Sequence, residues 1–154
     1  MTDVDIHLGQ HRFLSRAAVI LIRGGKLLIC RENRASWCYL PGGRIKAGED
    51  SLSAAKREIQ EEMGRAVGPL KLSYLLENFF ENEEQFTHEI GFYYLAESPP
   101  DLPEQPFDNQ FDLTSAFEWV SLEHLEEAQL MPPFLRSALL NLPSEGVQHL
   151  VSRR

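Results

Sequence analysis

The sequence feature that most restricts the fold is a glycine-rich bend at residues 40–48 that leads into a predicted helix. Pro41 lacks a backbone donor, and the three glycines of the bend permit conformations that other residues avoid. Asp50 is a suitable helix N-cap, and residues 52–63 contain neither glycine nor proline. Gly64 suits the left-handed position that commonly follows a helix. The segment therefore predicts a tight loop followed by one helix.

The predicted helix carries acidic side chains beside its apolar stripe. At about 100° per residue, the stripe consists of Leu52, Ala55, Ile59 and Met63. Glu58, Glu61 and Glu62 lie at i, i+3 and i+4 on the adjacent arc, where like charges repel one another. A bound cation would remove this repulsion, and oxygen ligands favour Mg²⁺ or Mn²⁺ over zinc. Taken alone, a charged run of this kind is more often a solvated helix face.

Glu49 and Arg57 suggest a second function for charge in this segment. Glu49 lies near the start of the helix, where negative charge is favourable, and Arg57 can reach it across the loop. We expect this pair to hold the loop against the helix and to orient the neighbouring carboxylates. Glu49 is therefore predicted to give structural support.

The whole segment resembles the Nudix box, Gly-x5-Glu-x7-Arg-Glu-U-x-Glu-Glu-x-Gly-U, in which U is a bulky aliphatic residue. The match is complete from Gly43 to Gly64, and it departs at the last position, where this chain has Arg65. A predicted strand hairpin and an aromatic segment at residues 37–40 precede the box in the order typical of the family. On these residues the chain resembles the Nudix hydrolase family.

The resemblance implies both a fold and an activity. The fold is α/β, a Nudix-type α/β/α sandwich with a central mixed β-sheet. The activity is that of a divalent-metal-dependent hydrolase that cleaves a pyrophosphate linkage in a nucleoside diphosphate linked to another moiety, such as ADP-ribose or another nucleotide. The alternative is a catalytically silent Nudix-fold module that binds or senses a nucleotide. Subfamily markers downstream of the box do not identify the substrate.

The box assigns roles to particular residues. The predicted catalytic group consists of Arg57, Glu58, Glu61 and Glu62. The predicted metal ligands, for Mg²⁺ or Mn²⁺, are the three glutamates and the carbonyl of Gly43. These groups would help to bring water against an anionic phosphate chain.

Other roles stay open at the level of sequence. Arg44 could bind a substrate phosphate or remain solvated. The candidates for the general base are Glu58 and three acids of the loop at residues 97–112, namely Glu104, Asp108 and Asp112. A surface for base stacking could come from aromatic residues, although aromatics of this kind are more often the core of a strand hairpin, namely Phe79, Phe80, Phe86, Tyr93 and Tyr94.

Composition sets the wider context. The chain has 154 residues and a net charge of −8, which predict one domain over residues 1–154 and argue against nucleic-acid or anionic-membrane partners. Neither a membrane span nor a signal peptide is recognisable. We therefore expect a cytoplasmic protein with reduced Cys30 and Cys38, which acts on a small nucleotide-type molecule. A homodimer is left open.

The remaining elements follow from periodicity and turn residues. Strands are predicted at residues 16–22, 26–31, 71–80, 86–96 and 116–120. Short helices are predicted at residues 122–128 and 132–142. The ends, at residues 1–12 and 143–154, are predicted to be loosely ordered.

Overall fold

An alternating apolar pattern places the central strand between two layers of the core. In β2 (His11–Arg23), Ala17, Val19 and Leu21 are buried on one face, and Ala18 and Ile20 are buried on the other. Successive side chains of a strand point to opposite faces, so β2 supplies both layers. The computed structural model describes residues 2–154, and the fold described below is that of these residues.

Nine strands form one mixed sheet. The other strands are β1 (Asp5–Leu8), β3 (Lys26–Glu32), β4 (Gly42–Arg44), β5 (Leu70–Asn82), β6 (Gln85–Glu97), β7 (Phe107–Asp108), β8 (Ser115–Ser121) and β9 (Gln148–Arg153). The main order is β7-β8-β3-β2-β6-β5-β9, with β1 and β4 paired to β2. The β2/β6 and β5/β9 pairs are parallel, and the other pairs are antiparallel.

The glycine bend enters the sheet because β2 and β3 diverge. These two strands pair only beside their turn, where Arg23 is opposite Lys26 and Ile22 is opposite Leu27. Farther along, β4 takes the open edge of β2, with Gly43 opposite Ala17. The bend is thereby fixed by backbone hydrogen bonds to the centre of the sheet.

Helix α1 (Ser51–Met63) covers one face of the sheet. Asp50 caps it by accepting a 2.8 Å hydrogen bond from the Ser53 amide, and Gly64 ends it in the left-handed conformation with φ of 66°. These caps confirm the predicted boundaries. Ile59 and Met63 are fully buried against the sheet, whereas Leu52, which was placed in the stripe, is exposed.

The opposite face is covered by a thinner layer. It contains a 3-10 helix at Leu122–His124, the four-residue helix α2 (Leu135–Ala138) and the loops beside them. The predicted α/β sandwich around a mixed sheet is therefore confirmed, but its second helical layer is short. The longer helices predicted at residues 122–128 and 132–142 are wrong in length, because turns replace most of the expected helical hydrogen bonds.

Loosely ordered ends were predicted, and the structure has strands in both end segments. β1 pairs with β2, and β9 adds to the edge of β5. The prediction is wrong for these strands because an open sheet edge supplies backbone partners to a segment with little apolar patterning. Residue 1 lies outside the described residues. One domain over residues 1–154 stays a prediction.

The residue pattern also predicts a short aromatic strand at residues 37–40 and a bulge at Gly91, and the structure differs from both. Residues 37–40 form isolated bridges, Cys30 with Tyr39 and Cys38 with Leu130, in place of a strand. The irregularity of the β5/β6 hairpin lies between Leu72 and Tyr74, whereas Gly91 pairs regularly. In the described part of the chain, no helix combines the length and apolarity that crossing a membrane requires.

Candidate active site

The glycine bend and helix α1 meet at a pair of buried carboxylates. Glu58 is 8% exposed and Glu62 is 5% exposed. A Cβ atom added at Gly43 would lie 2.5 Å from Glu58 Oε1 and 2.6 Å from its carboxyl carbon. The Glu58 carboxylate can occupy its position only because residue 43 has no side chain.

The environment of these carboxylates disfavours two negative charges. Burial and the neighbouring Glu58 carboxylate together raise the pKa of Glu62 to about 8, against the opposing effect of Arg16. Burial likewise raises the pKa of Glu58, although Arg57 opposes this. Without a cation, the pair therefore retains a proton near neutral pH.

Arg57 connects the helix to the bend. Its Nε and Nη2 donate to the two oxygens of Glu49 at 2.7 and 2.9 Å, which lowers the pKa of that carboxyl. Its Nη1 donates to Glu58 Oε1 at 2.9 Å and to Glu61 Oε2 at 3.1 Å. Nη2 also donates to the carbonyl of Arg44 at 3.1 Å. One guanidinium thus fixes three carboxylates and the backbone of the bend.

A cleft of about 1300 Å³ opens beside this network. Its volume is sufficient for a nucleotide. It is lined by nearly all the residues that the sequence assigned to the site, namely Gly43, Arg44, Arg57, Glu58, Glu61 and Glu62. Glu49 lies behind Arg57 and supports the wall from outside the cleft lining.

The donor set fits a divalent cation, although it is not gathered as a finished site. In residues 2–154, no group of three or more acidic, histidine or cysteine side chains is arranged to hold an ion. Glu61 is directed to Arg57, and Glu58 and Glu62 remain as neighbouring buried carboxylates. Mg²⁺ or Mn²⁺ binds oxygen ligands and would offset the burial and repulsion that raise the pKa of both carboxyls. The absence of a side chain at Gly43 lets the Glu58 carboxylate stay in position for such an ion. Arg57 engages only Oε2 of Glu61, so the other carboxylate oxygen remains available to an ion.

Arg44 lies in the cleft but is held by Asp5 of β1 and by Asp3, which precedes that strand. Its Nη1 lies 3.2 Å from Asp5 Oδ2 and 3.8 Å from Asp3 Oδ2. Asp5 in turn receives two hydrogen bonds from Arg12, at 2.7 and 2.6 Å. The bend at Arg44 is therefore positioned by a segment that sequence analysis treated as loosely ordered.

The general-base candidates differ in position. Glu58 lines the cleft, whereas Glu104 and Asp108 are exposed and are not among its described lining residues. Asp112 lines the cleft, but its Oδ1 accepts from the amide and hydroxyl of Thr114 at 3.0 and 2.6 Å. These bonds lower the pKa of Asp112 and stabilise its turn.

The candidate aromatic residues are divided between the cleft and the rest of the sheet. Phe80 and Tyr93 line the cleft. Phe79 stacks on His88, Phe86 stacks on His11, and the Tyr94 hydroxyl bonds to Ser51. These last three aromatics therefore belong to the packing of the sheet.

Several residues of the cleft wall were not predicted from the sequence. They are Arg16, Trp37, Tyr39, Asn78 and Glu89. Asn78 and Phe80 are two residues apart on β5, so strand alternation places them on the same face of that strand. Glu89 and Gly91 likewise share one face of β6. Only the register of the two strands shows that these faces coincide.

The mixed sheet, the glycine bend and the carboxylate helix define a protein of the Nudix fold. The chain belongs to the Nudix hydrolase family, since the family model described as NUDIX domain matches residues 12–142. The predicted family membership is thereby confirmed.

Two curated relatives match part of the chain. The proteins named 8-oxo-dGDP phosphatase NUDT18 from Homo sapiens and Mus musculus are 37% and 36% identical over 78 residues. The match covers 51% of this chain and only 20% of each relative.

Solved structures resemble the chain in fold. A mutator MutT protein from Bacillus halodurans gives a TM-score of 0.67 at 20% identity, over 83% of this chain and 82% of its own. A MutT protein from Methanosarcina mazei Go1 gives 0.61 at 21% identity, over 84% and 91%. At these identities the likeness concerns the fold alone.

Proposed function

We propose that this protein hydrolyses a pyrophosphate linkage in a nucleoside diphosphate compound and that it requires Mg²⁺ or Mn²⁺. The observation that carries the proposal is the pair of buried carboxylates, Glu58 and Glu62, in a cleft of nucleotide size, with Glu58 packed against Gly43. Such a pair, with the pKa of both carboxyls raised, is suited to exchange a proton for a divalent cation.

In the proposed reaction, the oxygen of water forms a bond to one phosphorus as the bridging P–O bond breaks. The departing oxygen takes up a proton, and the water loses one. A bound divalent ion lowers the charge on the phosphates and makes water more acidic. Glu58, Glu61 and Glu62, with the Gly43 carbonyl, would hold that ion. Of the candidate bases, we favour Glu58 because it lies in the cleft without the turn contacts of Asp112.

The remaining box residues would act through position. Arg57 holds Glu58 and Glu61 at fixed distances, and Glu49 holds Arg57 through two bonds. Removing Glu49 would let the carboxylates move relative to the phosphates, which lowers the rate because proximity and orientation supply much of catalysis. Arg44 is the proposed phosphate contact, and Asp5 already positions its guanidinium group.

The relatives suggest where to begin with substrates. Both NUDT18 proteins are named as phosphatases of 8-oxo-dGDP, an oxidised nucleoside diphosphate. We therefore propose nucleoside diphosphates, including oxidised ones, as the first substrates to test, with ADP-ribose as the diphosphate linked to a sugar. A net charge of −8 supports a small-molecule substrate over nucleic acid.

The test is release of phosphate or nucleoside monophosphate from a nucleotide panel with Mg²⁺, with Mn²⁺ and with chelator. We expect hydrolysis of at least one diphosphate with metal and none with chelator. Glu58→Gln and Glu62→Gln should each lower turnover by about 100-fold or more, and Glu97→Gln, exposed on β6, is the matched control. Nucleotide binding without hydrolysis of any panel member would instead establish the silent sensing module.

We also propose a cytoplasmic location. The support is that Cys30 and Cys38 are both free and buried, as is usual for proteins of a reducing compartment. Fluorescence microscopy of the tagged protein and fractionation of cell extracts would test this location.

A further inference from the structure

Asn78 is a buried amide in the cleft wall with unused hydrogen-bonding capacity. Its side chain is 2% exposed, it lines the cleft, and its Oδ1 has no hydrogen-bond partner among the described residues. Buried polar side chains are nearly always paired, because an unpaired group has lost its contact with water without replacement. The fold therefore keeps, in the wall of its cleft, an amide oxygen to which the described residues supply no partner.

Glu89 stands beside this amide. It is opposite Asn78 in the antiparallel β5/β6 pair, and directly opposed side chains lie about 5 Å apart on one face of a sheet. Glu89 is half-buried and lines the same cleft. Within residues 2–154, no cationic side chain forms an ion pair with its carboxylate. The two side chains thus present three acceptor oxygens and one amide donor group to a ligand.

This end of the cleft is distant from the carboxylates of α1. Gly43, which contacts Glu58, lies on β4, and the strands continue from β4 through β2 and β6 to Asn78 on β5. At about 4.8 Å per strand, Gly43 and Asn78 are on the order of 14 Å apart. The Glu89 carboxylate also repels phosphate oxygens. An uncharged group that carries N–H donors suits this end, and a phosphate chain suits the other.

We infer that Asn78 and Glu89 recognise the Watson–Crick edge of a guanine-type base. That edge carries the acceptor O6 and two N–H donors, one on N1 and one on N2, which match the amide donor of Asn78 and the two carboxylate oxygens of Glu89. Adenine offers on the same edge one N–H donor, on N6, and an acceptor at N1, so it leaves a carboxylate oxygen unpaired. Unpaired buried groups are what discriminate strongly between similar ligands. The inference rests on the proposed function in that it places a nucleotide in this cleft.

Binding of nucleoside monophosphates tests the inference without turnover, because they contain no pyrophosphate linkage. Calorimetric titration should show guanosine 5′-monophosphate binding about 10- to 100-fold more tightly than adenosine 5′-monophosphate, the range expected for hydrogen bonds to a charged group. Inosine 5′-monophosphate lacks the N2 amino group and should bind with intermediate affinity. Equal affinities for the three nucleotides would overturn the inference.

Two variants test whether Glu89 and Asn78 cause the preference for guanosine monophosphate. Glu89→Gln should weaken guanosine monophosphate binding about 10-fold or more and leave adenosine monophosphate nearly unchanged, whereas the matched control Glu97→Gln should change neither. Asn78→Leu should also weaken guanosine monophosphate binding, while its Tm stays level or rises because an unpaired buried amide is removed. A fall in Tm with unchanged preference between the bases would mean that Asn78 is structural, and would contradict the inference.

Hydrolysis separates this inference from the proposed function. With Mn²⁺, Glu89→Gln should lower kcat/KM for GDP relative to ADP by about the same factor as binding. If the wild type hydrolyses both and the variant keeps their ratio, the inference fails and the proposed function stands. If the wild type hydrolyses no member of the nucleotide panel but still prefers guanosine monophosphate, the proposed function fails and base recognition stands. Equal loss on both substrates would make Glu89 part of the catalytic machinery and overturn its role in specificity.

Discussion

The carboxylate of Asp5 bridges two arginines from different parts of the chain, and through Arg44 it holds the glycine bend. Asp5 Oδ2 lies 2.6 Å from Arg12 Nη2 and 3.2 Å from Arg44 Nη1. The hydrogen bonds from Arg12 lower the pKa of Asp5. A strand before the core is thus attached to the wall of the active-site cleft.

Replacement of this carboxylate should loosen the bend. Asp5→Asn is expected to lower the free energy of unfolding by about 1 kcal/mol, since the pair is partly exposed and solvent screens it. Urea unfolding measures the change. Asp3→Asn is the control, because Asp3 lies 3.8 Å from Arg44 and is more exposed. An equal effect of both substitutions would contradict a specific role for Asp5.

A side chain at residue 43 should displace the Glu58 carboxylate. Gly43→Ala places Cβ where the carboxylate now lies, at 2.5 Å from Oε1, so we expect Mn²⁺ affinity and turnover to fall about 10-fold or more. Manganese binding followed by electron paramagnetic resonance gives the first quantity. Gly68→Ala is the matched control, because no atom lies within 4 Å of the added Cβ and φ is ordinary. Unchanged affinity in Gly43→Ala would show that Glu58 does not depend on this gap.

The buried carboxylates should make the metal-free protein less stable at high pH. Burial and Glu58 raise the pKa of Glu62 to about 8 in the folded protein, above the ordinary value of 4.5. The folded state therefore binds more protons than the unfolded state between these values. The stabilisation is full below the unfolded pKa and is lost as pH rises through the folded pKa.

The corresponding measurement is Tm in chelator from pH 5 to pH 9, where we expect a decline that Mn²⁺ largely removes. Glu62→Gln should flatten the decline. Glu97→Gln, exposed on β6, should retain it. A wild-type Tm that rises over this range would show that the pair does not retain its proton.

The contact between Glu49 and Arg57 should matter for both stability and rate. Glu49→Gln weakens two charge-assisted bonds, of 2.7 and 2.9 Å, and should cost about 1–2 kcal/mol in the free energy of unfolding. Turnover should fall more mildly than in Glu58→Gln, because Glu49 acts through Arg57 and the Lys46 amide and does not line the cleft. Urea unfolding and steady-state kinetics of the same preparations check both effects. A full loss of activity with wild-type stability would place Glu49 in the reaction itself.

The features of the fold and site that depend on local interactions were predictable from the sequence. Asp50 and Gly64 end α1 where their residue types indicated, because capping depends on neighbours within one helical turn. The acidic arc and the Glu49–Arg57 contact also follow from positions along one helix and its adjoining loop. The short α2 was not predictable from propensity, because tertiary packing of its loop decides how many helical bonds form.

The sequence by itself determined the class of fold and the carboxylate helix, since helical periodicity, caps and the glycine bend are properties of consecutive residues. Only the tertiary structure decided the placement of β1 and β9 and the meeting of Asn78 with Glu89. Strand register depends on backbone pairing between distant segments, and shifting it by one residue would turn every side chain of a strand to the other face.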